Sequence, residues 1–171
     1  MPLQTLQDLL VEELRDLYHA EKQLVKALPR VARTARDPRL KSALEAHLAE
    51  TEGHVERLLC AFAALGEKPL GKRCRGMEGL VEEGKEMLSA PGHDVVRDAG
   101  IIGTAQRIEH YEIAGYGTAV NFAELLHLEQ VAGLLRETLE EEKGADRALS
   151  SIAEEYINPA AVALGQQDAA D

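Results

Sequence analysis

Aromatic side chains and strand-like patterning are what this chain has least of. Its 171 residues include no Trp, four Tyr and two Phe, and no stretch alternates apolar with polar residues over the length of a strand. A sheet needs both a period of two and residues that pack on a pleated surface, so β architectures are excluded. Cysteine is nearly absent too: Cys60 and Cys74 are the only two, without CxxC spacing. That rules out a disulfide framework or a thiolate zinc site; a single Cys60–Cys74 bridge stays open, and a reducing compartment is expected. No apolar run approaches the ~20 residues of a membrane span. The opening MPLQTLQDLLVEEL is acidic and amphipathic, unlike a secretion signal. Basic charge is also short, with 19 Lys and Arg against 30 Asp and Glu, a net charge of −11. Such a surface repels DNA and anionic lipid, and the lone basic cluster Lys72-Arg73-Cys74-Arg75 reads as a solvated loop. A soluble cytoplasmic protein with no nucleic-acid or membrane partner is expected.

Ala, Leu and Glu dominate, and they lose little side-chain freedom in helices. We expect one all-α domain over residues 1–171, large enough for a substantial core. The first helix is expected from Thr5, a candidate N-cap, to Ala35, kinked or ended early by Pro29. Asp37 and Pro38 should cap and open a second helix that stops at Gly66. Residues 66–94 hold Gly66, Pro69, Gly71, Gly76 and the short amphipathic run Met77–Leu88, ended by Ala90-Pro91-Gly92. Two further helices, about Val95 to Leu126 and His127 to Tyr156, should end at Asn158-Pro159 with a frayed tail. Tight links join the first pair (about 5–65) and the second (about 95–157), so two antiparallel hairpins are joined by a long crossover.

Four glutamates interrupt these helices: Glu21, Glu50, Glu112 and Glu141. The first helix has the stripe Leu10, Leu14, Leu17, Glu21, Leu24, Leu28, Val31. Glu112 follows Ala105 and Ile108 in the same way, and Glu141 falls on Leu134, Thr138, Ala145, Leu149. Spacing repeats as well, with 29 residues from Glu21 to Glu50 and from Glu112 to Glu141. A shift of 91 residues lays Leu48-x-Glu50-x-x-Gly53 on Leu139-x-Glu141-x-x-Gly144, so the hairpins read as copies with two-fold internal symmetry. Carboxylates in a bundle core cost several kcal/mol each unless compensated. Four of them neutralise two divalent cations, and oxygen donors suit Fe or Mn. Within the run Glu140-Glu141-Glu142 only the middle member is expected to face inward.

Neighbours one turn away extend the set. Glu109 precedes Glu112 by three residues, as His47 precedes Glu50, and His54 follows Glu50 by one turn. Tyr116 is placed to face inward, and Tyr18 occupies the repeat position of Glu109. His19 and His110 fall near the opposite face. The expected metal residues are therefore Glu21, Glu50, Glu109, Glu112, Glu141, His47 and His54.

Glu21, Glu50, Glu109-x-x-Glu112 and Glu141 on four helices resemble the ferritin-like di-iron carboxylate superfamily, the paired glutamates being similar to those of rubrerythrins. The segments AEKQLVKALP, HLAETEGHVERL, EHYEIAGYGT and ETLEEEKGAD resemble the YciF-like family of bacterial stress proteins. This resemblance implies a ferritin-like up-down-down-up bundle, a homodimer, and expression under stress. It also implies a two-metal centre, iron or manganese, that reacts with O2 or peroxide or oxidises Fe(II). One departure stands out: where the superfamily has Glu-x-x-His on the second and last helices, this register gives Gly53 and Gly144. The competing reading is a non-catalytic structural bundle with a vestigial site.

Overall fold

The computed structural model describes residues 3–70 and 72–168. Long helices form where the apolar stripes predict them: α1 Leu6–Thr34, α2 Pro38–Leu65, α3 Arg75–Ser89, α4 Asp94–Leu125 and α5 Glu129–Ile152. Thr5 begins α1 with a full capping box, its hydroxyl accepting from Asp8 N–H while Asp8 accepts from the Thr5 backbone. Asp37 accepts from the Arg39 and Leu40 N–H groups ahead of Pro38, and Gly66 ends α2 in the left-handed conformation, φ 68°.

Two helix ends expected at proline are corrected. Helix α1 runs through Pro29 to Thr34. Nor does helical structure stop at Asn158-Pro159, because one π-helical turn, Ala153–Ile157, hands over to α6, Asn158–Asp168. The Asn158 N–H bonds back to Ala153 C=O across the wide turn, and Pro159 then sits in the first turn of α6, where its missing N–H is harmless. The expected fraying falls partly on residues 169–171, and Gly71 of the crossover loop is likewise outside the described residues.

Contacts fix the topology. Arg57 reaches Thr138, His54 reaches Glu141 and His47 reaches Glu142, so α2 and α5 run antiparallel. Arg36 pairs with Asp98 and Leu17 packs on Gly115, so α1 and α4 are antiparallel too. The order around the bundle is α1, α2, α5, α4, up-down-down-up, with α3 lying over α1 and α4. A Cβ at Gly115 would stand 2.8 Å from Leu17 Cδ2, and that glycine lets α1 and α4 close on each other.

Two apolar clusters fill the bundle. One gathers around Leu10, Leu14, Leu58, Phe62, Val131 and Leu135. The other gathers around Leu24, Leu40, Leu44, Ile101, Ile102 and Leu149. Between them lies a layer of buried polar side chains: Glu21, His47, Thr51, His54, Glu109, Glu112, Thr138 and Glu142. Cys60 and Cys74 are free thiols, the first exposed and the second buried.

Candidate metal centre

Each long helix sends residues into this layer. Helix α2 does so along Leu40, Leu44, His47, Thr51, His54 and Leu58, in steps of four and three that follow the helical period. Helix α5 does so along Val131, Leu135, Thr138, Glu142 and Leu149. Both lines differ by one residue from the expected register. Glu142 is fully buried, whereas the side chains of Glu141 and Glu50 are 29% and 43% exposed. The expectation that Glu141 alone of its run faces inward is therefore corrected, as is inward placement of Glu50. One position is about 100° of rotation, enough to move a carboxylate from the core to the rim.

On the rim, Glu141 is clamped by Arg57, whose Nη1 and Nη2 each donate to it at 2.7 Å. Burial raises the Glu141 carboxyl, but the guanidinium outweighs it and holds the group below its ordinary range. His54 Nε2 lies 2.9 Å from Glu141 Oε2, linking rim to core. Glu50 lies 3.5 Å from His47 Nδ1.

The core residues form two adjoining clusters that share one carboxylate. His47, Glu109, Glu112 and Glu142 make the first; Glu21, His54 and Glu142 make the second; in each, one ligand atom per residue lies within 4.8 Å of the others. His54 Nδ1 is 3.0 Å from Glu142 and 3.4 Å from Glu21, and His47 Nε2 is 3.4 Å from Glu109. Eight buried atoms in these groups lack a well-aligned hydrogen bond: Glu21 Oε2, His47 Nδ1, His54 Nδ1, Glu109 Oε2 and both oxygens of Glu112 and Glu142. Native interiors rarely leave such atoms unsatisfied without an ion or a functional role.

The electrostatics show the same stress. Burial, then the charge of neighbouring carboxylates, pushes Glu109 and Glu112 well above the normal range. Burial raises Glu21 also, against the pull of His54. Burial pulls His54 down, yet Glu142 and Glu21 against its ring lift it to about 10. Glu142 ends below its ordinary value, because His54 overcomes its desolvation. Tyr116, fully buried, donates to Glu21 Oε1 at 2.5 Å. Tyr18 lies outside the layer, half-buried and edge-on to Phe62. His110 is exposed, while half-buried His19 accepts from the Cys74 N–H.

The 91-residue repeat acquires a sharper meaning in the observed register. Glu21 corresponds to Glu112, but Thr51 corresponds to Glu142, His54 to Ala145 and His47 to Thr138. The apolar pattern repeats and the chemistry does not. The first hairpin contributes both histidines, and the second contributes three of the four buried glutamates. In this register Glu-x-x-His reads as Thr51-x-x-His54 and Glu142-x-x-Ala145, so one histidine of the pattern is in place. Gly53 and Gly144 are one position off the line. Gly144 instead lines a cleft of about 210 Å³ between α2 and α5, with Ala43, Ala46, Glu50 and Glu141, that leads to His47 and Glu109. Glu142 and Thr51 were missed from sequence. An uncharged line from Leu40 to Leu58 through both histidines was the available signal.

An all-α bundle with a buried His/Glu layer able to hold metal ions is the class these features define. Residues 5–162 match the family model described as a domain of unknown function, DUF892, and the chain belongs to that family. It is 42% identical to protein YciF of Escherichia coli over 159 residues, covering 92% of this chain and 96% of that protein. The crystal structure of that stress protein superposes with a TM-score of 0.87, over 91% of this chain and 98% of the other. YcfI of Rhodopseudomonas palustris, provisionally described as a structural protein, is 42% identical with a TM-score of 0.85, over 88% and 96% of the two chains. A Xanthomonas campestris protein shares the fold at 21% identity and a TM-score of 0.75, over 96% of this chain and 99% of that one. Among the described residues no helix is long and apolar enough to cross a membrane.

Proposed function

We propose that this chain is a ferritin-like di-metal carboxylate protein of the bacterial stress response, holding two divalent ions, iron or manganese. Glu21, His54 and Glu142 would hold one; His47, Glu109 and Glu112, with Glu142 between the two, would hold the other. The observation that supports this best is the pair of clusters sharing Glu142, whose buried oxygens face the two imidazoles without a well-aligned hydrogen bond. The donor set fits: four carboxylates balance two divalent charges, and oxygen with imidazole nitrogen suits Fe and Mn. Bound iron would supply redox chemistry toward O2 or peroxide, or a site for oxidising Fe(II). The chain's residues orient the ligands, and the α2–α5 cleft admits small molecules beside His47 and Glu109. Metal analysis of protein purified without chelator, after iron- and manganese-supplemented growth, should give two ions per chain. Fewer than half an ion per chain would sink the reading.

A specific feature favours the second reading, a non-catalytic structural bundle. With His54 charged between Glu21 and Glu142, and Glu109 and Glu112 holding protons, the layer can approach neutrality without metal. The two readings separate in stopped-flow absorbance after Fe(II)-loaded protein meets O2 or peroxide. Oxidation no faster than buffer alone favours the structural role. Size-exclusion chromatography with light scattering tests the homodimer that the family resemblance implies.

A further inference from the structure

A second cavity reaches the same layer from the opposite side of the bundle. It occupies about 130 Å³ under α3, between α1 and α4, and its walls are Leu24, Leu28, Val31, Val81, Leu88 and Ile108 among others. His47 and Glu109 also line it, both buried and each with an unpartnered atom. Its other polar neighbours are mainly cations, Lys26, Arg30 and Lys85. In a chain of net charge −11 three cations around one apolar opening are unexpected. Among the described residues neither Lys26 nor Arg30 makes an ion pair. Lys85 pairs with Glu82 at 3.0 Å, but both side chains are half exposed or more, and such pairs exchange readily.

We propose that this cavity binds a small amphipathic organic anion, with its apolar chain inside and its carboxylate held by Lys26, Arg30 and Lys85. A cavity of this volume matches engineered apolar cavities of about 150 Å³ that take benzene, so a chain of about six to eight carbons fits. Direct hydrophobic burial supplies the affinity and the cations supply the orientation. The far end of the chain then lies against His47 and Glu109. That last placement, which makes the anion a candidate substrate of the metal centre, rests on the proposed function; binding itself does not.

Calorimetric titration of octanoate into the full chain with chelator present tests the binding. One molecule per chain should bind, with affinity rising about fourfold per methylene from pentanoate to octanoate. Gly84 lines the cavity and a Cβ there meets nothing within 4 Å, so Gly84→Leu should fold, fill the space and weaken octanoate at least tenfold. Ala105→Leu is the second filling variant. Lys26→Glu/Arg30→Glu should weaken octanoate about tenfold and leave 1-octanol unchanged. Absence of saturable octanoate binding at millimolar concentration overturns the proposal. So does wild-type affinity in both filling variants, or in the charge-reversed variant. Repeating the titration on Co(II)-loaded protein reads proximity, through the Co(II) visible absorption. Octanoate binding by a protein that takes up no Co(II) retains the cavity proposal and sinks only the metal reading; Co(II) uptake without octanoate binding does the reverse.

Discussion

Glu141 and Glu142 are adjacent in the chain and meet opposite environments. Arg57 holds the first on the rim; the second is buried between His47 and His54. Substitution separates their roles. Glu142→Gln removes the carboxylate shared by both clusters, so metal content should fall from two ions to below one per chain, measured by plasma emission. Glu50→Ala removes only a rim carboxylate and should leave two ions bound. In the chelated protein, Glu142→Gln also removes a partner that raises His54, so the imidazole should titrate lower by NMR than in the parent chain. Glu21 and Glu112 were legible from sequence because each interrupts an apolar line on its own helix. Glu142 was not, because Glu141 and Glu142 both neighbour leucines and nothing local decides which face turns inward.

At the scale of elements, helix ends were the most legible features and one buried cap was not. The motifs at Thr5, Asp37 and Gly66 act through residues within four positions, so local sequence reports them. Asp98 acts across the fold: from α4 its carboxylate accepts the Arg36 and Asp37 N–H groups at the α1–α2 turn while 2% exposed. Asp98→Ala strands both donors and should cost about 2–4 kcal/mol, read as a lower urea midpoint at unchanged slope. The turn between α4 and α5 places His127 at φ 57°, the described non-glycine residue in the left-handed region. His127→Gly relieves that backbone and should raise stability by up to about 1 kcal/mol, measured by the same unfolding curve.

Across the whole molecule the buried layer sets the response to pH. Glu21, Glu109 and Glu112 bind protons more tightly in the folded chain than an ordinary glutamate does, near 4.5. Folding therefore takes up protons, and stability falls as pH rises above that value. His54 acts in the same sense: its contribution is complete below 6.5 and lost as pH rises through about 10. Glu141 and Glu142, held low, lose theirs only in acid, below about 4.5. Chelated protein should thus have a higher urea midpoint near pH 5.5 than near pH 8.5. Metal displaces those protons, so Mn(II) should stabilise progressively more as pH rises and flatten or reverse the slope. A chelated protein more stable at the higher pH would contradict this account of the layer.

The sequence by itself determined the helices, the hairpin–crossover–hairpin order and the presence of misplaced carboxylates, because periodicity, caps and turn residues act over a few positions. Tertiary structure decided which carboxylates share the centre. On α2 and α5 two lines 100° apart were each consistent with the pattern, and only packing against the neighbouring helices chose between them. It also decided that the repeat would be chemically asymmetric. Two hairpins with a repeated sequence pattern meet about the same layer, but Thr51 faces it where its counterpart is Glu142. That is a property of side chains brought together from distant positions, which no single segment contains.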